Sequence, residues 1–95
     1  MKFLITYDNH PPRDYGALYR LMAEWKAVRL AQSVWLAELR GPADVVRDIV
    51  QRTLQLNDTV AVLELKPGSD WATKRVPAAA SAWLSANVMP AQKAA

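Results

Sequence analysis

Between Lys2 and Asp8, apolar and polar positions alternate along the chain. Phe3, Ile5 and Tyr7 fall on one side of an extended backbone, and Leu4, Thr6 and Asp8 on the other. A period of two predicts a β-strand that ends at Asp8. Asn9-His10-Pro11-Pro12 predicts a loop, because two prolines break any regular pairing. From Arg13 the period lengthens. Tyr15, Leu18, Met22 and Trp25, widened by Leu21, form a stripe at helical spacing that should stop near Lys26. The stretch from Val28 to Leu39 is rich in β-formers and is interrupted at Gln32-Ser33. It predicts two strands, 27–31 and 34–40, meeting in a tight connection. After Gly41-Pro42, Asp44 suits the positive end of a second helix, 43–56, with a stripe of Val46, Ile49, Val50 and Thr53. Asn57-Asp58 is a turn signal, Thr59 to Lys66 reads as the last strand, and Pro67-Gly68 ends it.

The order β-α-β-β-α-β predicts an α+β domain of ferredoxin-like arrangement over residues 1–75. Four antiparallel strands would carry both helices on one face. Residues 76–95 are rich in Ala and Pro and nearly uncharged until Lys93, which predicts a tail with room for a short helix. The strands carry a further message. The third has Val34 and Leu36 on one face and Trp35, Ala37 and Leu39 on the other; the fourth sets Val60 and Val62 opposite Ala61, Leu63 and Leu65. An antiparallel sheet with one wet face would alternate between apolar and polar instead. Two helices cover one face, so the second needs a lid, either the tail or another copy of the sheet. The expectation is a homodimer through that face, with Trp35 and Leu39 on the uncovered side and Trp35 as the anchor.

Composition narrows the classes. Ninety-five residues make one domain with a thin core, since a chain this short buries only about 60–65% of its unfolded surface. A hydrophobic share of 52% excludes a disordered chain. The absence of cysteine excludes a disulfide scaffold, a thiol nucleophile and a thiolate metal site. A net charge of +3 is compatible with nucleic acid as a partner without being diagnostic of it. The first apolar run is too short for a signal peptide, and no stretch approaches a membrane span, so the expected location is cytoplasmic with no membrane partner. No P-loop, Rossmann glycine signature or zinc motif is present.

Three segments, in order and spacing, resemble CRISPR-associated protein 2, the small subunit of the spacer-acquisition complex in antiviral defence. They are Phe3-Leu4-Ile5-Thr6-Tyr7-Asp8, Arg29-Leu30-Ala31-Gln32-Ser33-Val34-Trp35-Leu36 and Asn57-Asp58-Thr59-Val60-Ala61-Val62, within residues 1–66. The resemblance implies a homodimeric ferredoxin-like protein. In it Asp8 from each subunit reaches the interface, where the pair can hold Mg²⁺ or Mn²⁺. It implies a metal-dependent nuclease acting on phosphodiester bonds of RNA or DNA, or a nucleic-acid-binding subunit that bridges a CRISPR integrase partner. A non-catalytic dimeric scaffold is the alternative, as is a toxin-type ribonuclease outside CRISPR, because the virulence-associated D toxins share the fold. No fifth strand, which family members use to lock the integrase, is legible from Trp71 onward.

The residues themselves leave two readings at each position. Asp8 is a metal ligand that lets a bound water attack phosphate, or a carboxylate capping a strand end. His10 is a general base or ligand, or a solvated loop residue. Arg13 clamps a phosphate bidentately beside Asp8, and Arg20 shares its helix face. Together with Arg29, Arg40, Arg47 and Arg52 they track a phosphate backbone, or they line solvated faces where Arg47 and Arg52 pair with Asp44 and Asp48. Ser33 is structural or donates to phosphate. Tyr15 and Trp25 belong to the helix stripe and so to the core.

Overall fold

The computed structural model describes residues 1–8, 10 and 14–89. Strand β1 (Lys2–Tyr7) is followed by helix α1 (Gly16–Glu24), strands β2 (Val28–Ala31) and β3 (Val34–Glu38), helix α2 (Ala43–Gln51), strand β4 (Val60–Leu65) and helix α3 (Ala78–Asn87). The strands form one antiparallel sheet in the order β2-β3-β1-β4. Four antiparallel strands with three helices make an α+β architecture compatible with a ferredoxin-like fold. No helix among the described residues is long and apolar enough to cross a membrane.

Local chemistry sets the element ends. Helix α1 stops because Lys26 takes a left-handed conformation, φ 55°. The Lys26 amide then donates to the Ala23 carbonyl at 3.0 Å and the Ala27 amide to the Met22 carbonyl at 2.9 Å. This is the paired termination usually given to glycine, built here on a lysine. Helix α2 ends at Gln51, short of the expected residue 56. The Thr53 hydroxyl donates to the Val50 carbonyl at 2.7 Å, and the Thr53 and Leu54 amides turn to acceptors three residues back, which tightens and ends the helix. The β2–β3 connection falls at Gln32-Ser33 as expected, with an irregularity in the ladder between Arg29 and Ala31.

The two faces of the sheet bury different sets. Phe3, Ile5 and Tyr7 pack with Tyr15, Leu18 and Met22 around α1 and with Val46 and Val50 of α2. On the other face Leu36 packs with Ala80, Leu84 and Val88, four residues apart along and just beyond α3, joined by Leu4, Val28, Leu30, Leu65 and Trp71. The lid is fastened by the Trp71 indole, which donates to the Met89 carbonyl at 2.7 Å, and by the Gly68 amide, which donates to the Val88 carbonyl at 2.9 Å. Of the two covers the sequence allows for this face, the C-terminal segment supplies the one seen within the chain.

One assignment of faces is corrected. Trp35 and Leu39, expected on the side away from the two helices, pack against the α1/α2 cluster. Trp35 lies directly across the ladder from Ile5, and residues directly opposite share a face. Its indole donates to the Tyr7 hydroxyl at 3.3 Å. Alternation within a strand shows that two sides exist; only the register shows which one meets the helices. With partners inside the chain, Trp35 and Leu39 lose the ground on which a dimer interface is expected of them.

Candidate active site

The three segments that carry the resemblance converge at one end of the sheet. The Tyr7 amide donates to the Ser33 carbonyl at 3.2 Å, and the Asp8 amide to the Thr59 carbonyl at 3.2 Å. Asp8, the β2–β3 turn and the approach to β4 therefore form one corner. The last is shaped by Asp58, which is only 7% exposed and accepts the Gln55 amide through Oδ2 at 2.8 Å. Asp58 is the buried acidic residue of the described chain, and the sequence singles it out only as a turn former.

Asp8 holds the centre of this corner. Its Oδ2 accepts the Thr59 amide at 3.3 Å and lies 3.4 Å from Nε2 of His10. Hydrogen bonding from Thr59, reinforced by His10, holds the Asp8 carboxyl below the usual carboxylate range. The group is therefore a carboxylate at neutral pH. The Thr59 amide and His10 both meet Oδ2, and the Thr59 side chain adds a further hydrogen bond to the carboxylate. The side chains of Asp8 and His10 are 42% and 53% exposed, open to a phosphate or a hydrated cation.

Tyr15 underlies the same corner. It precedes α1, is 6% exposed and has its ring 5.6 Å from that of Tyr7. Its hydroxyl accepts the His10 amide at 2.7 Å and donates to the Asp8 carbonyl at 3.1 Å. The sequence assigns Tyr15 to the core, which is right for the ring; the polar tip is legible only once the loop's path is known. Tyr7, buried beneath, has its phenol pushed above the ordinary value by burial.

The other expected site residues divide. Arg13 lies outside the described residues. Arg20 is exposed on α1. Ser33 enters the corner through its backbone carbonyl. Arg29 is turned inward. Its guanidinium lies 5.3 Å from the Tyr19 ring centroid and 5.2 Å from that of Trp35. It also donates to the carbonyls of Ala31, at 3.3 Å, and Gln32. These contacts tie the β2–β3 turn to Tyr19 of α1 and engage the Nε and Nη2 donors of Arg29. Arg47 pairs with its neighbour Asp48 at 3.0 Å rather than with a residue one turn away.

The donor set sets terms for a metal. No group of three or more His, Asp or Glu side chains able to hold a metal exists among the described residues. One carboxylate and one imidazole suit a hard cation only where further oxygens join them, from a second Asp8 or from substrate phosphate. No family model, curated protein or solved structure matches the chain.

Proposed function

We propose that the protein is a metal-dependent nuclease of the CRISPR-associated protein 2 type, with a ferredoxin-like fold and a homodimeric assembly. One observation carries the reading. The three resembling segments close on a single corner whose centre is an ionised, accessible Asp8. In this reading Asp8 and its copy hold Mg²⁺ or Mn²⁺ together with the scissile phosphate, and the bound ion supplies an acidified water and offsets phosphate charge. His10, whose Nε2 faces Asp8, accepts a proton at its other ring nitrogen or steers the water. Arg13 and Arg20 supply cations to the substrate backbone. The second copy docks on the part of the sheet that α3 leaves open. Leu63 is 52% exposed, and with Ala61 it stands outside the α3 cluster, across the ladder from Leu4 and Thr6 on the strand that ends at Asp8.

The test incubates the protein with single- and double-stranded RNA and DNA, with Mg²⁺ or Mn²⁺ and then with chelator. Cleavage that needs the cation and disappears in Asp8→Asn, with dimer mass and circular dichroism unchanged, is the expected result. Cleavage that survives Asp8→Asn, or none on any substrate, overturns the proposal. In the latter case tight, salt-sensitive binding would point to the non-catalytic scaffold.

A further inference from the structure

We propose that the Tyr15 hydroxyl is the positioning group that holds Asp8 and His10 in register. The inference rests on the nuclease reading for its catalytic consequence, though not for its geometry. The chain has three tyrosines, and each hydroxyl has a different task. That of Tyr7 receives the Trp35 indole, and that of Tyr19 lies 3.5 Å from Arg29. Among the described residues, the Tyr15 hydroxyl bridges Asp8 and His10, the residues on either side of position 9. It receives the His10 amide at 2.7 Å and donates to the Asp8 carbonyl at 3.1 Å.

This bridge fixes backbone on both sides of the same point. The Asp8 backbone is already held by its amide bond to Thr59. His10 has no ladder partner, and its side chain is exposed, so the Tyr15 hydroxyl is what sets the distance from its ring to Asp8. The bridge is stiff because the Tyr15 ring is buried between Tyr7 and Tyr19, at centroid distances of 5.6 and 6.3 Å, at the start of α1. A rigid aromatic from the core therefore carries one polar atom to the backbone of both Asp8 and His10. Displacing a catalytic group by an ångström lowers turnover steeply while leaving substrate affinity nearly intact.

The experiment compares Tyr15→Phe, which keeps the ring and removes the bridge, with Tyr19→Phe as the matched loss of a hydroxyl elsewhere. Amide hydrogen exchange of His10 is read by NMR in the metal-free protein, and kcat and KM are read for metal-dependent cleavage. Tyr15→Phe should speed His10 amide exchange by about tenfold and leave the amides of β1 unchanged, since one hydrogen bond is removed. It should lower kcat by about tenfold with KM within about twofold. Tyr19→Phe should move neither. An unchanged His10 amide in Tyr15→Phe overturns the proposal, and so does an equal loss of kcat in both variants. A wild-type protein that cleaves nothing while Tyr15→Phe still frees the His10 amide refutes the nuclease reading and supports the bridge. Should Tyr15→Phe fail to fold, exchange in the wild type decides. Protection of the His10 amide supports the bridge, and exchange at the free-peptide rate refutes it.

Discussion

On one face of the sheet, Phe3, Ile5 and Tyr7 meet side chains from two helices that lie between the strands in sequence. On the other, Leu36 is covered by α3, a single helix that follows the last strand. The first face buries large residues completely, including Phe3, Ile5, Leu18, Met22 and Val50. The second buries Leu36 and Ala80 completely, with Leu84 and Val88 at 5% and 9% exposure, and it leaves Leu63 open at the β4 edge. Helices inside the β-α-β-β-α-β order are held by chain connection at both ends. Helix α3 is held at one end by the chain and at the other by the bonds from Trp71 and Gly68. The difference teaches that apolar strands on both sides of a small sheet do not by themselves call for a second subunit. A short Ala-rich segment serves, because Ala80, Leu84 and Val88 recur every four positions on its inward side.

The comparison can be broken most severely on the first face. Phe3→Ala removes a fully buried ring between the helices and the sheet, and should cost about 3–5 kcal/mol, enough to unfold much of the population. Urea denaturation followed by circular dichroism would show it. Leu84→Ala empties a site on the second face and should cost about 2–4 kcal/mol while leaving a cooperative transition. If α3 merely rested on the sheet, the midpoint of that transition would not move. Gly41→Ala probes the sheet end opposite Asp8. Gly41 has φ of +75°, and an added Cβ would stand 2.7 Å from the Met1 sulfur and 2.9 Å from the buried Phe3 ring. Both the conformation and the clash oppose the change, so a loss of about 1–3 kcal/mol in thermal or urea unfolding is expected.

The smallest effect lies at the corner where both faces end. The Asp8 carboxyl is held below its ordinary value near 3.8, so its charged form is favoured by folding. That contribution is complete above about pH 4, the unfolded value, and is lost as pH falls through the lower folded value. Stability measured against pH should therefore fall less on the acid side in Asp8→Asn than in the wild type. Identical acid slopes would show that Thr59 and His10 do not favour the charged carboxylate.

Much of the architecture was legible before any coordinates. The alternation of Phe3, Ile5 and Tyr7, the helical stripe of Leu18 and Met22, the break at Gln32-Ser33 and the turn at Asn57-Asp58 each report a local preference. The strands and helices follow them within a few residues. The overrun of α2 past Gln51 arose because Thr53 reads as part of an apolar stripe, whereas its hydroxyl bonds back to Val50 and ends the helix. Asp8 as a candidate was equally legible, because a carboxylate closing an alternating run sits at a strand end whatever the fold.

By itself the sequence determined the order of elements, the apolar character of both sheet faces and the position of Asp8 at the end of the first strand. The tertiary structure alone decided which side of β3 meets the helices, that α3 rather than another subunit lies over Leu36, and that Thr59, His10 and Tyr15 surround Asp8. The physical reason is range. Periodicity and turn chemistry act over a few residues, whereas Ile5 meets Trp35, Asp8 meets Thr59 and Leu36 meets Leu84 across long stretches of chain. Strand pairing sets the first two meetings and the packing of α3 on the sheet sets the third.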